Sequence, residues 1–181
     1  MGQGSDTVAA QLASEVLGIH YDLIDVTACD TATCPDGGMT TASRQTFVTG
    51  NAVKKAAESF KALLVPYLPA AADENAGTFC GTPDAASLAE AWKRLRKAGV
   101  VPRTEEHYSP PATRPHAAVV DPREGEEESR RGIHYSYCFA AAAVAVEVDT
   151  ATGKIRVLKV RAVQDAGKAI QPEDVAQAVV G

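Results

Sequence analysis

Two short runs carry residue types suited to holding an anion. Met1-Gly2-Gln3-Gly4 places an amide side chain between two glycines, immediately ahead of a helical pattern. Glycines let a backbone come close to a ligand, and the unpaired N–H groups of a helix's first turn favour negative charge. Gln3 adds two donors and one acceptor. Thr40-Thr41-Ala42-Ser43-Arg44 opens a second helical pattern with hydroxyls and a guanidinium. In a first turn that set suits a phosphate, because charge-assisted hydrogen bonds and the helix dipole act together. Taken alone, each run also has a plainer reading: a tight turn for the first, a capped helix with a surface arginine for the second. The two are expected to face one another across a single cleft bordered by the backbone nitrogens of Gly4 and Ser43.

The elements that must position these runs follow from periodicity. Val8, Leu12 and Val16 recur at helical spacing, so residues 6 to 17 read as an amphipathic helix with Ser5 or Asp6 as cap and Gly18 closing it. Ile24, Val26 and Ala28 alternate with Asp25 and Thr27, the pattern of a short half-buried strand. Ala42 to about Leu64 reads as a long helix with Val48, Ala52, Ala56 and Phe60 on one side, ended by Pro66 and Pro69. Gly50 inside it marks close packing or a break. Thr82 as cap and Pro83 at the first position start a third helix, whose stripe of Leu88, Trp92 and Leu95 puts Trp92 in the core. Lys93, Arg94, Arg96 and Lys97 form its solvated cationic end.

Residues 109 to 132 are irregular by composition, with several prolines and the acidic run Glu124 to Glu128, read as solvated. Tyr135 to Val148, a turn at Asp149 to Lys154, and Ile155 to Val160 form a β-hairpin. Phe139 to Val146 is the longest apolar run and fits a buried strand. A further helix begins at Pro172. The fold class is therefore α+β, with helices packed on a β-sheet that includes a C-terminal β-hairpin. The chain is organised as a single partial domain over residues 1–181: a helical part to about residue 100, a long loop at about 109–132, and the hairpin and helix start from about 133.

Composition removes several alternatives. A net charge of −5 argues against a nucleic-acid partner, which needs a basic face. No apolar run reaches the roughly 18 residues of a membrane span, and no signal-peptide pattern opens the chain. Cys29, Cys34, Cys80 and Cys138 lack CxxC spacing, and His20, His107, His116 and His134 lack ligand spacing, so neither a disulfide framework nor a zinc site is expected.

The motifs also resemble a known family. Met1-Gly-Gln-Gly-Ser-Asp-Thr-Val, Gln11-Leu-Ala-Ser-Glu-Val-Leu-Gly18, Thr41-Ala-Ser-Arg-Gln-Thr-Phe-Val-Thr-Gly-Asn-Ala52, Tyr108-Ser-Pro-Pro111, Val144-Ala-Val-Glu-Val-Asp149 and Asp165-Ala-Gly-Lys-Ala-Ile-Gln-Pro172 follow in order along nearly the whole chain. Together they resemble the molybdenum hydroxylases, the xanthine dehydrogenase and aldehyde oxidoreductase type, in the molybdenum cofactor-binding domain of the large subunit. The resemblance implies an oxidoreductase that hydroxylates an aldehyde or N-heterocycle with water as oxygen source. It implies a molybdenum–molybdopterin cofactor, with the cytosine dinucleotide form as one option. It further implies iron–sulfur and FAD groups on partner domains or subunits, the remainder of the large subunit as a partner, and a cytoplasmic location.

By the same resemblance Gly2, Gln3, Gly4 and Ser5 approach the cofactor, Thr41, Ala42, Ser43 and Arg44 line the pterin and its phosphate, and Gln177 faces the cofactor from the C-terminal segment. Departures are present: Val180 stands where the family usually has glutamate, and Gln171-Pro172 replaces Asn-Pro. The family's catalytic glutamate lies in a Gly-Glu-Pro-type loop beyond Gly181. No catalytic base and no protein metal ligand are therefore assigned within the chain, and it reads as a segment of a larger enzyme. A non-catalytic module for pterin or nucleotide phosphate, or an inactive fragment, is the alternative reading.

Overall fold

The structure, a computed structural model, describes residues 2–68, 72–73, 78–79, 83–113 and 134–180. Cys80, Thr82, His116 and the run Glu124 to Glu128 lie outside the described residues. The chain forms two compact units, Met1–Pro110 and Pro111–Gly181. Helices fill the first and an antiparallel ribbon with one helix the second, an α+β composition.

In the first unit α1 spans Ser5–Leu17 and α2 spans Gln45–Leu64. Ser5 lies within α1 rather than capping it. Gly4 is the N-cap, in the left-handed region at φ 74°, and Gly18 ends the helix at φ 70°. The expected strand at Ile24 to Ala28 does not form. A short 3-10 turn at Tyr21–Leu23 precedes an irregular run there, because among the described residues no second strand lies alongside to complete a ladder. A long return segment then carries the chain back along the length of α1, so that α2 starts beside the start of α1.

Helix α2 also begins later than its pattern predicts. Ala42 and Ser43 adopt left-handed φ values of 50° and 55°, and Arg44 becomes the N-cap. The far end of α2 passes into a 3-10 turn at Val65–Tyr67, where Pro66 breaks the ladder. Here Leu64 and Leu68 pack on Ala91 and Leu95 of α3, Ala85–Lys97, with Phe60, Leu63 and Leu88 around them. The core of the first unit is thus helix on helix. Asp84, not Thr82, caps α3: its Oδ1 accepts from Ser87 N at 2.8 Å, and the Ser87 hydrogen bonds hold its carboxyl below the ordinary 3.8. Trp92 is 45% exposed, so the expected core position is wrong. The buried stripe runs through Leu88, Ala91 and Leu95, and Trp92 stands about 100° around the helix from Ala91.

After α3 the chain returns along α2. Thr104 Oγ1 donates to Ala56 O at 3.0 Å, Ser59 Oγ donates to Glu106 Oε1 at 2.7 Å, and Tyr108 sits edge-on to Phe47 at 6.0 Å with Lys55 over its ring. Two short strands, β1 (Ala72–Asp73) and β2 (Thr78–Phe79), pair antiparallel between α2 and α3 in the chain.

The second unit is the hairpin β3 (Phe139–Val148) and β4 (Ile155–Asp165), followed by α4 (Pro172–Val180). Asp149 builds its turn, accepting from Ala151 N at 2.9 Å and from the Thr152 hydroxyl at 2.6 Å, with Gly153 at φ 72°. Thr152 first and Ala151 second lower the Asp149 pKa. The register shifts between Ala145 and Val146, leaving Leu158 as the extra residue of a bulge. That shift sorts the side chains. The pairs Val144–Val160, Val146–Val157 and Val148–Ile155 share one face, while Arg161, Lys159 and the Glu147–Arg156 ion pair share the other. The expectation of a buried strand at Phe139 to Val146 does not hold: both strands are exposed throughout, and the paired valines and Ile155 are 48% to 67% exposed. A two-stranded ribbon has one layer, and within its unit α4 is the helix beside β4 among the described residues.

Leu95 is fully buried and Trp92 is not, which predicts unequal costs of truncation. Leu95→Ala is expected to destabilise the first unit by about 2–5 kcal/mol, and Trp92→Ala by less than about 1.5 kcal/mol, in urea unfolding. Equal costs would place Trp92 in the core after all.

Candidate functional site

The two runs singled out in the sequence lie at one end of a parallel helix pair. Ser5, Val8, Ala9 and Leu12 of α1 and Gln45, Thr46, Thr49, Gly50 and Val53 of α2 line one shallow cleft. Toward the other end, Lys61 Nζ donates to Val16 O at 2.9 Å, and Leu17 and Ile19 meet Leu64 and Leu68. Residue numbers rise together on both helices, so the helices run the same way. Their N-terminal N–H groups, and the positive ends of their dipoles, gather on one side.

Gly4 and Ser43 precede the residues that line this cleft, by one and two positions. Gly2 and Gly4 are exposed, with nothing within 4 Å of the place a Cβ would take. Gln3 is exposed between them. The Ser5 hydroxyl donates to Asp6 Oδ1 at 3.2 Å, a local contact.

On the α2 side, Asx turns shape the approach. Asp30 accepts from Ala32 N at 2.9 Å and from the Thr33 hydroxyl at 3.0 Å, which lowers its pKa, and Asp36 accepts from Gly38 N at 2.8 Å. The Cys34 thiol donates to Thr27 O at 3.3 Å and closes the same loop. Thr40 Oγ1 donates to Gln45 Oε1 at 3.1 Å. Arg44 N donates to Thr41 O at 3.1 Å, closing a turn whose two central residues, Ala42 and Ser43, are both left-handed. Hairpin turns of that hand are usually built with Gly, Asn or Asp. Non-glycine residues held there carry strain of about 1–3 kcal/mol each, and such outliers cluster at ligand clamps. Arg44 Nη1 donates to Met39 O at 2.7 Å, so the guanidinium braces the loop instead of capping α2.

Thr41, Ala42 and Ser43 are exposed, and Arg44 is half-buried. The structure therefore brings Gly2 to Ser5 and Thr41 to Arg44 to one end of one helix pair. Gln177 lies at an exposed position of α4, in the second unit. The cleft-lining role of Gln45 and Thr46 is not evident from sequence. Both follow Arg44 directly, but a helix started at Ala42 makes them interior positions rather than the first turn. Among the described residues no group of three or more His, Cys, Asp or Glu side chains is placed to hold a metal ion.

The family described as the molybdopterin cofactor-binding domain matches residues 1–181, the whole chain. The chain belongs to this family. It is similar to a probable xanthine dehydrogenase component of Bacillus subtilis (strain 168), at 29% identity over 95% of the chain and 22% of that protein. It is similar to the carbon monoxide dehydrogenase large chain of Hydrogenophaga pseudoflava, at 27% identity over 94% of the chain and 20% of the relative. A third relative, aldehyde oxidase 2 of Cavia porcellus, is 31% identical over 95% of the chain and 11% of its own length. The chain thus spans about a fifth or less of these relatives.

The donor set fits the polar part of such a cofactor. Two helix starts, two uncrowded glycines and several hydroxyls offer hydrogen bonds to phosphate and pterin edges, with Asp6 the one acid in the first turn of α1. The backbone geometry makes a paired prediction. Ala42→Gly is expected to stabilise the chain by about 0.5–1 kcal/mol, the left-handed penalty less the added freedom of the unfolded glycine. Gly4→Ala, at an equally left-handed position, is expected to cost about 0.5–1 kcal/mol by the same difference. Thermal unfolding of both variants checks the signs, and a destabilising Ala42→Gly would remove the strain argument.

Proposed function

We propose that this chain is part of the molybdopterin-binding catalytic subunit of an oxidoreductase that hydroxylates an aldehyde or N-heterocycle with water as oxygen source. The observation that carries the reading is the parallel start of α1 and α2, where Gly4 and the strained Thr41–Arg44 turn lead directly into the residues that line one cleft. Gly2, Gln3, Gly4 and Ser5 would hold the cofactor from one side, and Thr41, Ala42, Ser43 and Arg44 from the other. Gln177, on α4 of the second unit, is a further cofactor contact in this reading. The cofactor, when bound, supplies two-electron oxidation with oxygen taken from water. The residues here bind and orient it: the glycines admit it close to the backbone, the Gln3 amide donates and accepts at its polar edge, and the helix starts neutralise phosphate charge. The cytosine dinucleotide form, with its further phosphate, is an option that two helix starts would serve.

The relatives named for xanthine dehydrogenase and aldehyde oxidase support the N-heterocycle and aldehyde classes. Partners belong to the same reading. We assign the exposed valine face of β3 and β4 to contact with the remainder of the large subunit, and electron transfer to iron–sulfur and FAD groups on partner domains or subunits. The location is cytoplasmic in this reading. No helix among the described residues is long and apolar enough to cross a membrane.

Two outcomes test the proposal. In the cofactor-loaded full chain, Gln3→Ala is expected to lower the rate about 10²–10³-fold or to lower cofactor retention, while the fold stays intact. Wild-type turnover with full molybdenum content would refute the role of Gln3. The 181 residues alone, supplied with cofactor, an aldehyde and an artificial electron acceptor, are expected to show no sustained turnover. General-base catalysis needs a carboxylate within about 2.6–3.2 Å of the proton it takes, and no acid here matches the family's base loop. Turnover that disappears on Gln3→Ala would place a base within these residues.

A further inference from the structure

Gly50 lies in the N-terminal half of α2, where alanine would favour the helix by about 1 kcal/mol. Its φ is not left-handed, so the residue type is not explained by backbone conformation. What explains it is proximity. Gly50 is buried, and a Cβ added there would meet Leu12 Cδ1 of α1 at 3.0 Å. Both residues line the cleft that Ser5 and Gln45 also line. At the helical rise, Gly50 is about 7.5 Å along the axis from Gln45, and Leu12 about 10.5 Å from Ser5. The contact therefore lies within about two turns of both helix starts.

We infer that Gly50, acting through Leu12, is a positioning residue that sets the separation of the Gly2–Ser5 and Thr41–Arg44 runs, and with it the width of the cofactor's polar cradle. The inference rests on the cofactor reading above. A methyl group at Gly50 has two ways out. It can push α1 and α2 apart, which widens the cradle, or it can turn the end of the Leu12 side chain aside within the cleft. Hydrogen bonds from two rigid helix starts to one ligand tolerate the first change poorly, since misplacement on the ångström scale has large effects on a preorganised site.

The experiment uses the full chain produced in a host that makes the molybdenum cofactor. Four proteins are compared: wild type, Gly50→Ala, Gly50→Ala with Leu12→Ala, and Leu64→Ala. The last variant damages the same helix at its other end. Molybdenum and pterin per chain are measured after purification, and the thermal midpoint separately. Gly50→Ala is expected to lower occupancy about tenfold. The double variant is expected to regain most of it while having a lower midpoint than the single variant, because it removes the clash but also packing. Leu64→Ala is expected to lower the midpoint with occupancy close to wild type. Full occupancy in Gly50→Ala, or occupancy that merely follows the midpoint across all four proteins, would overturn the inference. A wild type with no molybdenum pterin would have a different signature, defeating the cofactor reading and this inference with it.

Discussion

The parallel contact of α1 and α2 at Leu12 and Gly50 is the constraint on which the rest of the first unit depends. Parallel neighbours align their dipoles, which is electrostatically unfavourable, so apolar packing along the shared face must offset it. The arrangement gathers two sets of unpaired N–H groups on one side. An anion there relieves the repulsion between the two helix starts. The feature that is costly for the empty fold is the one that would favour a phosphate.

Parallel helices also require a long return connection, and the irregular segment between α1 and α2 fills that role. It cannot bury a core, so it holds its shape through side chain to backbone hydrogen bonds. Asp30 and Asp36 form Asx turns, the Cys34 thiol reaches Thr27 O, and Arg44 braces Met39 O. The segment after α3 works in the opposite direction along α2, and its Tyr108 packs on Phe47 just behind the turn at Ala42 and Ser43. The strained turn is thus fixed by its own loop and backed by an aromatic contact, a setting in which unfavourable φ values persist.

Much of this is legible in the sequence, for identifiable reasons. Gly18 and the Val8, Leu12, Val16 spacing locate α1, and the β-branched run with Asp149 and Gly153 locates the hairpin. The departures share a cause: each depends on contacts distant in sequence. The alternation at Ile24 to Ala28 lacks a partner strand among the described residues. The pattern at Trp92 fits a core stripe as well as Ala91 does, and the position of the neighbouring helix decides between them. The left-handed pair at Ala42 and Ser43 has no compositional signal, since neither residue is a usual choice for that region. Exposure of the hairpin is not visible either, because apolar alternation records a face that needs cover without saying what covers it. The family match covers the whole chain, while the substrate stays unspecified: relatives similar over this stretch are named for xanthine, carbon monoxide and aldehydes.

The central claim is that the paired starts of α1 and α2 hold the cofactor's polar end. An experimental structure of the cofactor-loaded full chain tests it most directly. The account predicts phosphate or pterin oxygens within about 2.7–3.2 Å of backbone nitrogens at both Gly4–Ser5 and Ser43–Gln45. Cofactor bound elsewhere, with both helix starts facing solvent, would contradict it.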